Sequence, residues 1–493
     1  MYNSLREWLT QVDEMGQLKH ITEEVDWNLE MGALTYLVGK KVGAPALLFE
    51  NIKGYSKDYR VLFNMLGTGK ERIALALGLP TNLSTMELIQ ATREKMGKRI
   101  EPLYVDPKTA PVNENIQMGD DVDLLKFPVP KMWPRDGGRY MGTADVIITR
   151  DPETGVVNLG TYRQMVQSKN EVGFYISPGK DGKLHRESWW KLDKPCEVAA
   201  VYGVDPLLFM VGAQGYPRNI SEYEFAGGIL GKAIEVVKGE VTNLPIPAQA
   251  EIVVEGIAYP GNNRSEGPFG EFTGYYGRPG EETPVIDIKC VHHRNQPILT
   301  SALMADYPSC EQNDFVSIVK SAKIWDDLES MGIPGIKGVY SHPAAAGGFG
   351  MVIVSMEQRF AGHVAQVLAL ASQCPAAAYN TKWIVAVEED VDPTNIDEVI
   401  WAMSTRCNPM DDIDIQRNTW STYLDPTQNP PENRPYGSKA LINACREHKY
   451  LDVFSVRSKV IRSMYDRLSE KWSKLGLDGE PPAIRAFEED VLD

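Results

Sequence analysis

The chain has 493 residues, of which 43% are apolar and 24% are charged, and its formal net charge is −16. This length and composition predict a globular protein of roughly two to four domains. The acidic balance argues against a broad nucleic-acid surface, because such a surface needs clustered Lys and Arg, but it leaves room for a small anionic substrate.

Residues 1–115 alternate between helical and extended patterns. The chain begins with a predicted amphipathic helix capped by Asn3 or Ser4, and Ser84 is expected to cap another helix after two short apolar strands. The proline-rich segment 123–142 then breaks all periodicity. This break predicts a linker or the start of a domain.

Residues 143–305 are mainly strand-like, with one helix capped by Ser221, and this pattern predicts a β-barrel or layered sheet. Helices and strands then alternate as far as about residue 440, which indicates an α/β domain. Within it the apolar run 361–379 ends near Pro375 and predicts a buried helix rather than a membrane span. Residues 456–477 predict a long amphipathic helix that docks on a partner subunit.

The sequence "SEGPFGEFTGYYG" (265–277) places Glu266 and Glu271 five residues apart among glycines. Two such residues on a regular strand point to opposite faces, whereas in a glycine-rich loop they can converge. Two close carboxylates raise the pKa of at least one of them, which is what a proton donor needs. The alternative is a solvated hairpin that carries two unrelated acids.

Two other motifs supply groups that suit this loop. In "NLGTYRQMV" (158–166), Arg163 lies on an apparent strand and needs an acidic partner, so it would fit between the two glutamates. Glu222 follows the Ser221 cap, and together with Asn158 it offers oxygen ligands for Mg²⁺ or Mn²⁺ beside a phosphate. The alternatives are a barrel-rim arginine with another partner and an acid placed by the helix dipole.

Other candidates have simpler explanations. The loop 344–350 lacks the residues of a phosphate-binding motif, and the acids of 388–395 are typical of helix N-caps. His292 and His293 alternate across a strand, so at most one of them faces a site. The six cysteines lack CxxC spacing and are too sparse in 493 residues for a disulfide scaffold, which predicts a reducing cytoplasm. Cys310 is better explained by packing than by nucleophilic catalysis.

Four motifs in order, "NLGTYR", "SEYEFAGG", "SEGPFGEFTGYY" and "TKWIVAVEEDVDP", resemble the UbiD family of reversible decarboxylases, and the resemblance covers nearly the whole chain. These enzymes use prenylated flavin mononucleotide (FMN). The resemblance implies an α/β (α+β) fold with an N-terminal α/β part, a central split β-barrel that binds the flavin, an α/β domain that drives oligomerisation, and a terminal helix. The corresponding regions are 1–115, 116–315, 316–442 and 443–493.

The resemblance also implies roles for the three charged residues. Glu271 matches the acid that protonates the substrate carbon after CO₂ leaves. Arg163 would orient the substrate carboxylate, and Glu266 would hold Arg163 in place.

The family's metal ligands are an Asn, a His and a Glu around the flavin phosphate, and Asn158 and Glu222 match two of them. The expected His position falls at Asp181, and His185 lies four residues later. Asp181 or His185 therefore completes the site for Mn²⁺ or Mg²⁺, with K⁺ as a further candidate ion. The other expected cofactor contacts are Thr161, Tyr162, Arg163, Lys180 and Lys382.

The motifs favour an aromatic or heteroaromatic acid as the substrate, with Cys310, Glu311 and Asn313 as candidate substrate contacts. The expected partners are this acid, CO₂ and a flavin prenyltransferase that supplies the cofactor, without nucleic acid or membrane. The expected assembly is a cytoplasmic homodimer or homohexamer. Two alternatives remain: a carboxylase subunit of a multi-protein aromatic-degradation complex, and a non-catalytic flavin-binding protein.

Overall fold

The structure is a computed structural model that describes residues 2–277, 281–428, 436–485 and 487–488. It forms two compact units. The first comprises residues 1–323, 341–350 and 420–437, and the second comprises residues 324–340, 351–419 and 438–493. The predicted regions 1–115 and 116–315 thus lie in one unit, and the finer division between them stays a prediction.

The elements are numbered along the described residues. The α-helices are α1 (Leu5–Glu14), α2 (Glu30–Gly39), α3 (Lys70–Ala76), α4 (Thr85–Met96), α5 (Asp181–Lys191), α6 (Pro206–Gly212), α7 (Glu222–Leu230), α8 (Asn313–Ser330), α9 (His363–Gln373), α10 (Ile396–Arg406) and α11 (Arg462–Ser469). The strands are β1 (Leu18–Ile21), β2 (Ala46–Phe49), β3 (Arg60–Phe63), β4 (Leu103–Tyr104), β5 (Asn115–Met118), β6 (Tyr140–Gly142), β7 (Asp145–Arg150), β8 (Val157–Gly160), β9 (Gln164–Ser168), β10 (Glu171–Gly173), β11 (Cys196–Tyr202), β12 (Glu235–Lys238), β13 (Pro245–Pro247), β14 (Ile252–Ala258), β15 (Asn263–Glu266), β16 (Glu281–His293), β17 (Ile298–Thr300), β18 (Ile336–Ser341), β19 (Met351–Met356), β20 (Trp383–Glu388), β21 (Ile413–Thr419) and β22 (Gly437–Ala444).

Serine side chains cap the N-termini of α1, α4 and α7. Ser4 accepts the amide of Glu7 and starts α1. Ser84 and Ser221 each form a full capping box, at the start of α4 and α7 respectively. Each cap satisfies amides that the first helical turn leaves unpaired, and each stabilises its helix by about 1 kcal/mol. The three capped helices predicted from the sequence are therefore confirmed.

The main element of the first unit is a ten-stranded sheet that curls into a half-barrel. Its strands run in the order β6-β9-β10-β16-β14-β11-β7-β8, and both β15 and β5 pair with β16. A smaller sheet in the order β1-β2-β3-β17 and a three-stranded sheet, β13-β12-β4, complete the unit. This arrangement confirms the fold class expected from the sequence.

One hydrophobic core joins the small N-terminal sheet to the curled sheet. It includes Phe49 and Phe63 from β2 and β3, Phe127 from the proline-rich segment, and Val198 and Ile288 from β11 and β16. Full burial of such side chains contributes about 1.5–3 kcal/mol each. The core therefore fixes the inner strands, at whose ends the candidate site residues lie.

The second unit contains a five-stranded sheet in the order β18-β19-β20-β22-β21, with parallel pairing from β19 through β20 to β22. The predicted buried helix is α9, but it buries only one face, and Ala365, Gln366 and Ala369 on the other face are exposed.

The predicted long helix over 456–477 is wrong in its length, because α11 spans only Arg462–Ser469 and Gly476 adopts a left-handed conformation. No side chain of α11 is buried in the described chain, and its packing is limited to partly exposed contacts such as that between the rings of Tyr465 and Phe487. A helix with so little packing is marginal at this length.

Candidate active site

The loop after β15 brings the two predicted glutamates into the interior. Glu266 is the last residue of β15, and Glu271 lies in a tight hairpin closed by bonds from Glu271 N to the Tyr275 carbonyl and from Gly277 N to the Phe269 carbonyl. Glu266 is 2% exposed and Glu271 is 7% exposed. The alternative of a solvated hairpin is therefore excluded.

Arg163 bridges the two carboxylates. It lies between β8 and β9, and its Nε and Nη2 donate to the two oxygens of Glu266 over 3.0 and 2.9 Å. Its Nη1 donates to Glu271 Oε1 over 2.6 Å. The guanidinium also lies 4.3 Å from the ring centre of Tyr175. The structure thus brings together the three residues to which the sequence assigned one network.

Burial and neighbouring charges shift the pKa values of Glu271 and Arg163. Burial raises the pKa of Glu271 above its ordinary value, and the Arg163 charge opposes this shift without cancelling it, while Glu266 and Asp136 add to it. Burial alone would lower the pKa of Arg163, but Glu271 and Glu266 raise it overall. The site therefore combines a permanent cation with an acid whose proton is retained to higher pH.

Sequence reasoning missed a segment that contacts this network. Tyr140 donates its hydroxyl to Glu266 Oε1 over 2.8 Å, and Asp136 Oδ1 accepts the amide of Gly270 over 3.0 Å. Both residues belong to the proline-rich stretch that was interpreted as a linker. The only available signal was the Asp-Gly-Gly sequence at 136–138, which is typical of a close backbone approach.

A second cluster lies around the end of β8. Glu222, the first residue of α7, accepts the amide of Leu159 over 2.8 Å, and burial together with Asp181 raises the pKa of Glu222 to about 7. Asn158 is buried, and its side-chain nitrogen has no hydrogen-bond partner among the described residues. The carboxylates of Glu222 and Asp181 and the side-chain oxygen of Asn158 are ligand types that a hard divalent cation prefers, whereas the unpaired Asn158 nitrogen can only donate to an anionic or neutral acceptor.

Asp181 and His185 differ in what they face. Asp181 begins α5, and its Oδ1 forms an ion pair with Arg218 Nε over 2.8 Å. His185 Nδ1 lies 3.0 Å from Thr149 Oγ1, and its Nε2 lies 3.8 Å from Asp151. Because both ring nitrogens of His185 face β7 and the following turn, Asp181 is the better candidate for a third ligand beside Glu222.

The expected cofactor contacts Thr161, Tyr162 and Lys180 belong to the first unit and lie close to this cluster. Thr161 donates its amide to the Gly212 carbonyl, and the Tyr162 hydroxyl accepts the Gly182 amide over 3.2 Å. Lys180 is the N-cap of α5, and burial lowers its pKa. Lys382 belongs to the second unit, where it precedes β20 and its backbone carbonyl accepts the amide of Ala440. Its contact with a cofactor stays a prediction.

The three candidate substrate contacts are buried. Burial raises the pKa of the Cys310 thiol to about 12, and Glu271 adds a small effect, so this thiol lies near the proposed proton donor. Glu311 Oε1 accepts the backbone amides of Leu66 and Gly67. The side-chain amide of Asn313 donates to the Pro308 carbonyl. These bonds give Glu311 and Asn313 structural contacts, and their role with substrate stays a prediction.

A further cluster has the residue types of a metal site but a different use. Glu255, Cys290 and His292 are buried with their ligand atoms within 4.8 Å of one another. Glu255 already accepts His292 Nε2, three backbone amides and the Thr242 hydroxyl. A carboxylate with five donors has no oxygen lone pair left for a metal. The cluster therefore holds neighbouring segments together by hydrogen bonds and does not bind a metal.

In the part of the chain that the structure describes, the helices are too short or too polar to cross a lipid bilayer.

Comparison with known proteins identifies the class of protein that has this site. Three family models match in chain order: the N-terminal, Rift-related and C-terminal domains of 3-octaprenyl-4-hydroxybenzoate carboxy-lyase, over residues 9–92, 104–307 and 314–444. A phenolic acid decarboxylase of a Streptomyces strain is 32% identical over 458 residues, which are 90% of this chain and 92% of that protein. These matches define the protein as a carboxy-lyase.

Solved structures agree with this class. The closed form of vanillic acid decarboxylase from Sedimentibacter hydroxybenzoicus has a TM-score of 0.86 at 28% identity and covers 97% of this chain and 100% of its own. An evolved dimeric form of HmfF from Pelotomaculum thermopropionicum, in complex with prenylated FMN, has a TM-score of 0.79 at 28% identity and covers 93% and 97%. The chain belongs to the UbiD family, as its four motifs indicated.

Proposed function

We propose that the protein catalyses the non-oxidative, reversible decarboxylation of an unsaturated aromatic or heteroaromatic acid with prenylated FMN. In this proposal Arg163 orients the substrate carboxylate and Glu266 holds Arg163. Glu271 donates the proton that takes the place of CO₂ on the substrate carbon.

The observation that carries the proposal is the asymmetric bridge made by Arg163. Glu266 takes two N–H groups of Arg163 and the hydroxyl of Tyr140, whereas Glu271 takes one N–H group. Glu266 is therefore held as a fixed counter-charge, and Glu271 keeps an oxygen that can carry a proton. A buried carboxyl with a raised pKa is a competent general acid near neutral pH.

The second cluster would hold the cofactor. Asn158, Glu222 and Asp181 would offer oxygen ligands for Mn²⁺ or Mg²⁺ beside the flavin phosphate, and Lys180 directly precedes Asp181. When bound, prenylated FMN would supply the electron sink for the electron pair left by CO₂. The HmfF structure with prenylated FMN supports this choice of cofactor.

Aromatic side chains near Glu271 support a planar substrate. Phe272 is buried directly after Glu271, and its ring centre lies 5.6 Å from that of Phe349. Phe269 lies in the same hairpin, 5.7 Å from the Arg163 guanidinium. Such walls favour a ring next to the acid, and the relatives are decarboxylases of phenolic and vanillic acids.

The proposal extends to the setting of the enzyme. We infer a cytoplasmic homo-oligomer, a dimer or a hexamer, that receives its cofactor from a flavin prenyltransferase. An evolved form of the relative HmfF is dimeric, so a dimer is compatible with this fold.

The test begins with the cofactor. The protein is expressed with and without a flavin prenyltransferase, purified without oxygen, exposed briefly to air, and examined by native mass spectrometry and visible absorption. A panel of aromatic acids is then added, and CO₂ is measured. We expect prenylated FMN only after co-expression, together with turnover of at least one acid. A protein that binds no flavin and no metal under both conditions would refute the proposal.

A further inference from the structure

The segment 133–140 runs along the loop that carries the two glutamates. Its carboxylate, Asp136, accepts the amide of Trp133 through Oδ2 over 2.9 Å and the amide of Gly270 through Oδ1 over 3.0 Å. The amide of Gly137 donates to the Pro268 carbonyl over 2.9 Å. One buried aspartate thus connects its own turn to the residue immediately before Glu271.

Tyr140 makes the second connection. Its side chain is fully buried, its hydroxyl donates to Glu266 Oε1 over 2.8 Å, and its ring centre lies 4.4 Å from that of Phe269. The same carboxylate oxygen accepts Arg163 Nε over 3.0 Å. Two donors on one oxygen and a third on the other leave Glu266 little freedom to rotate.

Two glycines show that the approach of these segments is close. A Cβ at Gly137 would collide with the Gly267 carbonyl oxygen, and a Cβ at Gly270 would collide with the indole ring of Trp133. The backbones therefore touch where side chains would normally separate them. Contact of this kind transmits a shift of one segment directly to the other.

We propose that Asp136 and Tyr140 are positioning residues of the proton-donating site: Asp136 fixes the backbone at Gly270 and thereby Glu271, and Tyr140 fixes Glu266 and thereby Arg163. This inference rests on the proposed function only for its effect on the reaction. The arrangement of the two segments can be tested without turnover.

Asp136 also acts on Glu271 through its charge. Burial raises the pKa of Asp136 to about 6, so its carboxylate is ionised at neutral pH. The groups that face Glu271 are Arg163, which favours loss of its proton, Glu266 and Asp136, which oppose that loss, and the uncharged thiol of Cys310. Removing the Asp136 charge should therefore let Glu271 lose its proton at a lower pH.

The first test measures hydrogen–deuterium exchange in a peptide that spans Gly270, in the full chain. Asp136→Ala removes the acceptor of the Gly270 amide and is expected to speed exchange there about tenfold or more. Asp205→Ala is the matched control, because Asp205 also accepts two amides, those of Leu207 and Leu208, and burial also raises its pKa to about 6. Equal exchange in wild type and Asp136→Ala would overturn the inference.

The second test uses the pH profile of kcat in the cofactor-loaded enzyme. Asp136→Asn keeps an acceptor oxygen but removes the charge, so the alkaline limb should move to lower pH by about half a unit, while Asp205→Asn leaves it in place. Tyr140→Phe should lower kcat about tenfold with KM little changed, whereas Tyr223→Phe, which also removes a buried hydroxyl bond, to the Pro245 carbonyl, should not.

The outcomes distinguish a failure of the proposed function from a failure of the positioning role of Asp136 and Tyr140. If the wild-type enzyme turns over no acid, the proposed function fails, while the exchange experiment still decides whether Asp136 holds the loop. If the enzyme is active but both site variants match their controls in exchange, kcat and pH profile, the positioning role is refuted and the proposed function stands. Tyr140→Phe provides this test even if the Asp136 variants fail to fold.

Discussion

Glu255→Gln tests a large carboxylate effect that the structure predicts outside the site. Glu255 lies on β14 and its side chain is fully buried. Oε1 accepts the Glu240 amide and His292 Nε2, both over 2.8 Å, and Oε2 accepts the amide and the hydroxyl of Thr242. The substitution keeps the shape of the side chain but removes the charge and one acceptor oxygen.

The expected magnitude follows from the pKa of Glu255. Burial alone would raise it, but the bonds from His292 and Thr242 lower it from 4.5 to about 2. A difference of roughly 2.5 units corresponds to about 3 kcal/mol of stability. Because the folded-state pKa lies below the unfolded one, this contribution is complete above about pH 4.5 and is lost as the pH falls from there towards 2.

The assay is thermal unfolding of wild type and variant at pH 7 and at more acidic pH. For a unit of this size, about 3 kcal/mol corresponds to a Tm lower by about 4 °C at pH 7, and the difference should narrow as the pH falls below 4.5. Glu153→Gln, at an exposed turn, is the control and should leave Tm unchanged. A Tm equal to wild type at pH 7, or a difference that does not change with pH, would refute the reasoning.

The remaining predictions concern the reaction and the second unit. Glu271→Gln should lower kcat about 10²- to 10⁴-fold with little change in Tm, and unchanged turnover would contradict its role as proton donor. Arg163→Lys should lower kcat/KM by at least about tenfold, because an ammonium group cannot reproduce the fork that binds Glu266; wild-type kinetics would show that this fork is dispensable. Lys439→Met should lower Tm, because the buried Nζ of Lys439 donates to three carbonyls at the end of α9; an unchanged Tm would show that these bonds contribute nothing net.

Local patterns in the sequence predict what local physics decides. Ser84 and Ser221 begin helices because a hydroxyl followed three residues later by Glu satisfies the free amides of the first turn. The glycine-rich spacing of Glu266 and Glu271 likewise predicts that the two carboxylates converge, although the resemblance to a family was needed to favour this over an exposed hairpin.

Other features depend on distant contacts and left no local pattern. The stretch around Asp136 and Tyr140 was interpreted as a linker because it lacks periodicity, yet its order comes from a loop more than 120 residues away in the chain. The long helix predicted after residue 456 failed for a related reason. Its amphipathic pattern is real, but pattern alone does not stabilise a long helix, and no side chain of α11 is buried among the described residues.

The bridge between Arg163 and the two glutamates also has a consequence for biosynthesis. Arg163 lies 103 residues before Glu266 and 108 before Glu271, so the ribosome makes the cation long before either of its counter-charges. Contacts this far apart form late, since the intervening chain must be ordered first. A nascent chain that stops short of β15 thus carries an arginine without these acids, and the bridge can form only after the loop that follows β15 has been made.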